Sequence, residues 1–220
     1  MALSASHEDY LKTIWLLSEW NDDEVSPMDI ARKMGLSAST VSEGVKKLGA
    51  LGLVNHVRYK SVRLSAEGER QAIQVVRKHR LLETYLATEL GYGWDEIHDE
   101  AESLEHAVSD LFIERIDKVL GFPERDPHGD PIPTADGHVP VTEALPLSTI
   151  PSAKMVRVVR VSDADPDVLK YLADLGVHPE TDLDVTGVRA SIGLLDVVID
   201  GTPSALSIAA ADAVWVRPLR

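Results

Sequence analysis

The segment from His98 to His106 carries side chains suited to metal chemistry. It reads His-Asp-Glu-Ala-Glu-Ser-Leu-Glu-His, and residues three or four apart share one face of a helix, so that His98, Glu102, Glu105 and His106 are predicted to project together. Grouped carboxylates repel one another unless a cation neutralises them. The spacing therefore predicts a divalent-metal site; the alternative is an exposed helix face whose acids are simply solvated.

A second pair of candidate ligands, His79 and Glu83, lies four residues apart on the preceding predicted helix. If the two helices are antiparallel across the turn at Gly91 and Gly93, both groups converge. The chain contains no cysteine, so the donors are imidazole and carboxylate without sulfur. This donor set suits Mn(II), with Fe(II), Co(II), Zn(II) and Cd(II) as competitors.

The elements that would position these residues begin with three helices and a hairpin. Apolar residues at helical spacing predict the first helix, Ser26-Pro27 begins the second, and Ser37 caps the third. The predicted bounds are residues 7–20, 28–34 and 37–48 for the helices, and 53–57 and 61–64 for the strands. This order is typical of a winged helix-turn-helix, although a three-helix unit without a DNA role is the alternative.

Two longer helices and a β-rich segment follow. A helix is predicted from Ser65 to Glu89 and another from Asp95 to about Leu120, while residues 123–150 are rich in Pro and Gly and show no period. The later β-prone runs are Met155–Val161, Asp182–Val188, Leu194–Ile199 and Ala213–Val216, with a helix at Pro166–Leu175. They predict a small β-barrel with a helical insert.

Charge is distributed unevenly along the chain. The net charge is -14, yet residues 32–63 hold seven basic residues and one acidic residue, whereas residues 76–140 hold 6 basic and 15 acidic residues. The first stretch predicts contact with phosphate and the second predicts cation binding. Ser37, Ser39, Thr40, Ser42 and Glu43 are predicted to face the DNA major groove, with Ser37 also the predicted helix cap, and Lys46, Lys47, Arg58 and Lys60 to contact phosphates.

Several classes of protein are disfavoured by the sequence. The absence of cysteine excludes disulfides and thiolate sites. The first twelve residues lack the basic start and apolar segment of a signal peptide, and no apolar run approaches the roughly 20 residues of a membrane span. We therefore expect a cytoplasmic protein with no membrane association and no small organic ligand.

Four spaced segments resemble the diphtheria-toxin-repressor family of metal-dependent repressors: EDYL at 8–11, RKHRLLE at 77–83, HDEAESLEH at 98–106 and HGDPIP at 128–133. The resemblance implies a homodimer that is mainly α with a small β domain. The implied domains are a winged helix-turn-helix at 1–75, a helical dimerisation and metal-binding domain at 76–140, a linker at 141–152 and an SH3-like β-barrel domain at 153–220.

The resemblance also implies two metal sites. One would use His79, Glu83 and His98, and the other Asp9, Glu102, Glu105 and His106. Iron-sensing members carry methionine and cysteine where Asp9 and Glu102 stand, so the hard oxygen donors resemble the manganese-sensing branch. Lys12 departs from a manganese-sensing subgroup that has glutamate there, and that subgroup's closely spaced two-metal geometry is not carried over.

The β domain of longer family members adds ligands to the first site, and this chain has an acidic loop at residues 163–167. Asp163 and Asp165 are the candidates, although capping of the following helix by Asp165 or Asp167 explains this acidic loop at least as well. His128, between Asp126 and Asp130, would be a further cation site or part of a turn.

The expected function is manganese-dependent repression of transcription. The metal-loaded homodimer would bind palindromic double-stranded operator DNA, with one or two dimers per operator, and regulate metal-ion homeostasis through manganese uptake. The alternatives are an iron-dependent repressor of the same family, a metal-independent architectural DNA binder, and a metal-dependent hydrolase, since Glu and His clusters also build catalytic sites.

Overall fold

The computed structural model describes residues 3–20, 24–56, 61–94 and 96–219. The chain divides into two units, the first formed by Met1–His79 with Pro133–His138 and the second by Arg80–Ile132 with Val139–Arg220. Helix α4 (Ala66–Glu89) begins in the first unit and ends in the second.

The first unit contains three helices and a short antiparallel hairpin before α4. Their bounds are α1 Ala5–Glu19, α2 Pro27–Met34, α3 Ala38–Ala50, β1 Val54–His56 and β2 Val62–Leu64. The predicted caps are present: Ser26 forms a capping box with Asp29, and Ser37 accepts a hydrogen bond from the backbone N–H of Thr40. Gly35 has φ 64°, the left-handed conformation that ends α2 and turns the chain into α3.

The core of the first unit is apolar and joins all three helices. Leu11, Ile14, Ile30, Val41 and Leu48 are fully buried. Leu11 and Ile14 stand at the helical spacing from which the first helix was predicted. The second and third helices were predicted from the caps at Ser26 and Ser37 instead.

The helical part of the second unit differs from the prediction in one element. A single helix over residues 95–120 was predicted, and this is wrong: α5 spans Ile97–Glu105 and α6 spans Asp110–Val119. The side chain of Ser109 accepts a hydrogen bond from the N–H of Phe112 and so begins a new helix. Local capping by serine therefore outweighs an apolar period that continues across the break.

The rest of the second unit is a six-stranded antiparallel sheet with two short α-helices. The elements are β3 Leu145–Pro146, β4 Lys154–Val161, α7 Pro166–Asp174, β5 Asp182–Arg189, β6 Leu194–Ile199, β7 Thr202–Ser207, α8 Ile208–Asp212 and β8 Val214–Pro218. The strand order is β3-β8-β4-β5-β6-β7. Alternate residues of β4, β5 and β6, such as Val156, Leu183 and Leu195, are buried in its core.

One side chain joins the two apolar cores of this unit. Trp94 packs against the cluster of α4, α5 and α6 and also against the cluster of the β domain. Within the described residues, no helix is long and apolar enough to cross a membrane.

Candidate metal centre and nucleic-acid interface

Three elements of the second unit bring potential metal ligands together around His98. The Nδ1 atom of His98 on α5 lies 3.3 Å from Oε1 of Glu83 on α4 and 3.2 Å from Oδ2 of Asp163, which follows β4. Glu83 is almost completely buried, while His98 and Asp163 are partly exposed. We call Glu83, His98 and Asp163 the His98 cluster; it opens to solvent on one side and has a buried carboxylate on the other.

The electrostatics of this cluster favour a positive charge. Burial of the His98 ring would by itself lower its pKa, but hydrogen bonds and charge interactions with Asp163 and Glu83 outweigh this effect and raise the pKa to about 10. In the absence of metal, the ring is therefore protonated at neutral pH. Two carboxylates oriented on one imidazole could hold a cation, and a divalent ion would then replace the proton.

His79 and Glu102 are the neighbours of this cluster along their helices. His79 is buried and stands one turn before Glu83 on α4, so both side chains share a face of that helix. Glu102 is exposed, and its Oε1 atom lies 3.9 Å from Nε2 of His98. Glu83, His98 and Asp163 are thus in contact, and His79 shares with Glu83 one face of α4.

The other predicted ligands lie at the end of α5. The carboxylate of Glu105 is buried, and its Oε1 atom lies 3.4 Å from Nε2 of His106, the residue that ends the helix. The four-residue set expected on one face of α5 is therefore divided: His98 turns towards Glu83, and Glu105 lies beside His106. Asp9 is half-buried on α1 of the first unit, and its joining of Glu102, Glu105 and His106 stays a prediction.

The two acidic candidates of the β domain have different roles. Asp163 belongs to the His98 cluster, whereas Asp165 is exposed and caps α7 by accepting hydrogen bonds from the N–H groups of Asp167 and Val168 at 3.0 and 3.2 Å. The structure thus favours the capping alternative for Asp165 and brings Asp163 to the candidate metal ligands.

The candidate DNA-binding face of α3 is exposed along its whole length. Val41, Val45 and Leu48 form the buried side of the helix. The residues predicted to contact DNA are exposed on this helix: Ser37, Ser39, Thr40, Ser42, Glu43, Lys46 and Lys47. Ser37 is the N-cap, as expected, and Lys47 pairs with Glu43 at 3.0 Å. Arg58 and Lys60 lie outside the described residues, so their predicted phosphate contacts stay predictions.

A contact that was not predicted from the sequence fixes α3 against α1. The ring of Tyr10 lies so close to Gly44 that a Cβ atom there would be 2.5 Å from Cζ, and the Tyr10 hydroxyl donates to the carbonyl of Thr40 at 3.2 Å. Glycine in a helix interior costs up to about 1 kcal/mol relative to alanine, which indicates a packing reason. Tyr10 is next to Asp9, so a candidate metal ligand and the contact with α3 are neighbours on α1.

A winged-helix unit with an exposed basic helix, combined with a cluster of imidazole and carboxylate donors, defines a metal-responsive DNA-binding protein. Comparison with family models agrees: residues 2–62 match the N-terminal DNA-binding domain of iron-dependent repressors, residues 65–134 match their metal-binding and dimerisation domain, and residues 145–218 match the FeoA domain.

Individual relatives cover nearly the whole chain. The iron-dependent repressor IdeR of Mycobacterium leprae is 34% identical over 209 residues, 88% of each chain. A solved manganese-dependent transcriptional repressor in complex with manganese is 50% identical, has a TM-score of 0.93 and covers 97% of this chain and 100% of its own. The structure of the manganese regulator SloR is 37% identical with a TM-score of 0.83, covering 97% and 98%.

The chain therefore belongs to the diphtheria-toxin-repressor family, as the sequence motifs indicated. The predicted fold class is confirmed: a winged-helix DNA-binding domain, a helical dimerisation region and a small SH3-like β domain. Members of this family are DNA-binding repressors rather than enzymes, which removes the hydrolase alternative.

Proposed function

We propose that the protein is a manganese-dependent transcriptional repressor, which binds palindromic operators as a metal-loaded homodimer and regulates manganese uptake. The observation that carries this proposal is the His98 cluster, where a buried carboxylate and a second carboxylate converge on one imidazole nitrogen. A solved manganese-dependent repressor that is 50% identical over nearly the whole chain supports it. Such a repressor acts on its operator in the cytoplasm.

The donor set fits manganese. His79, Glu83, His98 and Asp163 would hold one ion and Asp9, Glu102, Glu105 and His106 the other, with Asp165 close in sequence but engaged in capping α7. All these donors are nitrogen or oxygen. The hard ion Mn(II) binds carboxylate and imidazole ligands more readily than thiolate ligands. A cation bound at each site would compensate the buried carboxylate there, Glu83 at one and Glu105 at the other.

The residues around Asp9 suggest how metal status reaches the DNA. In the metal-loaded protein, Asp9 of α1 would bind the same ion as the ligands of α5. Without metal, this link would be absent. Tyr10 contacts Gly44 and donates to the Thr40 carbonyl, so an ordered α1 orders α3. Metal binding would thus favour one of two states of the DNA-binding helix, and this differential affinity is what allosteric control requires.

On DNA, the two α3 helices of a dimer would enter successive major grooves. Ser39, Thr40, Ser42 and Glu43 would face base edges, with Ser37 mainly capping the helix. Lys46 and Lys47, together with Arg58 and Lys60 of the wing, would contact phosphates.

The proposal is tested by titrating operator DNA with the metal-free protein, with Mn(II), and with Fe(II) under anaerobic conditions. We expect tight binding with Mn(II) and weak binding in chelator, and the titration end point gives one or two dimers per operator. Asp9→Ala should abolish most of the activation by Mn(II) while leaving the dimer intact. Glu69→Ala, which removes an exposed acid from α4 in the same unit, is the control. Equal operator affinity with and without metal would contradict the proposal.

Iron-dependent repression by the same fold is the second candidate, and the 34% identity to an iron-dependent repressor favours it. The Fe(II) arm of the same titration separates the two. If oxygen donors set the preference, replacing Asp9 by Met and Glu102 by Cys should shift activation from Mn(II) towards Fe(II).

A further inference from the structure

A short loop between the helices and the β domain of the second unit is held by its own hydrogen bonds. We call residues 126–132 the docking loop. Oδ1 of Asp126 accepts hydrogen bonds from the N–H groups of His128 and Asp130, both at 2.9 Å, and the N–H of Asp126 donates to the carbonyl of Asp130. Asp126, His128 and Asp130 are buried. Asp126 thus closes a turn, the alternative to a cation site that the sequence left open here.

On one side, the docking loop contacts the end of β4. Arg160 donates from Nε to Oδ1 of Asp130 at 2.5 Å, and its guanidinium also lies 4.5 Å over the ring of Trp215. The N–H of Val161 donates to the carbonyl of His128 at 2.9 Å. Gly129 has φ 93°, and a Cβ atom there would be 2.1 Å from the carbonyl oxygen of Val159. Only glycine permits this approach of the two backbones.

On its other side, the docking loop contacts α4. The buried guanidinium of Arg80 donates to the carbonyl of Pro131 at 2.7 Å, and lies 3.5 Å from Asp130 and 3.6 Å from Asp126. Asp130 is therefore placed between one arginine of α4 and one arginine of β4. Trp94 adds a hydrogen bond from Nε1 to the carbonyl of Pro127 and a ring contact with His128.

Both carboxylates of the His98 cluster are anchored close to these contacts. Glu83 stands three residues after Arg80 on α4, and Asp163 stands three residues after Arg160, just beyond the end of β4. Burial raises the pKa of Asp126 well above its usual value, and the negative charges of Asp130 and Glu83 raise it further. The charge of Glu83 in the His98 cluster is therefore close enough to act on Asp126 in the docking loop.

From these contacts we infer that the docking loop fixes the β domain on α4 without metal, and thereby holds Asp163 beside His98 before a metal binds. Asp130 and Arg160 are positioning residues, which act through the placement of Asp163. The docking itself stands on the contacts alone, whereas its consequence for metal affinity rests on the proposed function. Because Asp163 is already in place, less conformational freedom is lost on binding.

The experiment compares full-length wild type with Asp130→Asn, which keeps the shape of the side chain and removes its charge between the two arginines. In chelator, hydrogen exchange of the amides at residues 156–163 should become faster in the variant. Mn(II) affinity should fall by about tenfold, the range expected for residues that orient metal ligands. Asp182→Asn is the matched control, because it breaks the Arg157–Asp182 pair between β4 and β5 and leaves the docking loop untouched.

A double-mutant cycle with Asp163→Ala identifies the route of the effect. If Asp130 acts by placing Asp163, Asp130→Asn causes no further loss of Mn(II) affinity once Asp163 is alanine. Arg160→Lys, which keeps the charge but removes the Nε donor, serves as the second variant if Asp130→Asn does not fold, and should show the same pattern more weakly.

Two results would overturn the inference: unchanged exchange at residues 156–163 in the folded variants, or an equal loss of Mn(II) affinity with and without Asp163. The exchange measurement is made in chelator, so it judges the docking even if the wild type binds no Mn(II). Failure of the proposed function and failure of the docking are therefore distinguishable.

Discussion

Helix α3 and the His98 cluster both carry charged side chains, and they differ in how far those charges are exposed to water. On α3 the side chain of Lys47 is 63% exposed and that of its partner Glu43 is 68% exposed. In the His98 cluster the side chain of Glu83 is only 2% exposed. An exposed ion pair contributes about 0–1 kcal/mol, whereas a buried carboxylate is costly unless a cation compensates it.

This difference determines what each region can bind. Exposed lysines on a helix can meet a large polyanion such as DNA, because their partners are weakly held and solvent separates them easily. The His98 cluster, where one buried and one partly exposed carboxylate face an imidazole, fits a small cation, which would replace a proton there. We therefore expect DNA to contact charges that are solvated in the free protein, and metal to bind where a charge is costly to bury.

The largest expected effect comes from removing the buried charge. Glu83→Gln keeps the size of the side chain but removes the charge that faces His98, and we expect Mn(II) affinity at this site to fall by about 100-fold, at least the loss caused by changing residues that merely orient ligands. Isothermal titration of the metal-free variant with Mn(II) measures this loss.

Glu89→Gln is the matched control, since Glu89 is an exposed glutamate on the same helix. Wild-type affinity in Glu83→Gln would show that burial of this carboxylate has no connection with metal binding, and the contrast between the two regions would fail.

The second effect concerns the placement of α3. Gly44→Ala would put a methyl group 2.5 Å from the buried ring of Tyr10, and overpacking of this kind costs about 1–3 kcal/mol. We expect a lower free energy of unfolding in urea and weaker operator binding, because α3 must shift.

Gly49→Ala on the same helix is the control, since its nearest neighbour would be 4.0 Å away; this change should be neutral or slightly stabilising. Tyr10→Leu should relieve much of the cost of Gly44→Ala. An equal cost in the Tyr10→Leu background would mean that the Tyr10–Gly44 contact does not position the helix.

The sequence predicts local features of the candidate site, but not its long-range contacts. The shared helix face of His79 and Glu83 and that of His98 and Glu102 follow from helical spacing, which is a local property of the sequence. The caps at Ser26 and Ser37 are equally local. Asp130 and Arg160 are in contact although they are 30 residues apart in the sequence, and no local sequence pattern predicts this contact.

Two other differences between the prediction and the structure arise because two local sequence signals compete. The break between α5 and α6 was missed because Leu111 and Ile113 continue the apolar period while Ser109 starts a new helix. Strand β7 was missed because Thr202-Pro203-Ser204 has the composition of a turn, yet it pairs with β6 along its whole length at the sheet edge, where proline is tolerated.

The third effect is a pH dependence of the metal-free protein. The folded pKa of His98 is raised from 6.5 to about 10, so its protonation stabilises the fold fully below pH 6.5, and this contribution is lost as the pH rises through about 10. The free energy of unfolding in urea with chelator should fall over this interval, and the fall should be smaller in His98→Gln. Identical profiles for the two proteins would show that Asp163 and Glu83 do not hold the proton on His98.

The smallest expected effect concerns an exposed lysine of α3. Lys46→Ala should weaken operator binding uniformly across sequences and reduce the slope of log affinity against log salt by about 0.9, because one phosphate is no longer neutralised by the protein. Lys47→Ala should do less, because Lys47 must first leave Glu43, from which it is 3.0 Å away. Lys170→Ala on α7, an exposed lysine of the β domain, should leave the slope unchanged. A slope for Lys46→Ala equal to that of the wild type would place this lysine away from the phosphates, and exposure on α3 would then be no guide to contact with DNA.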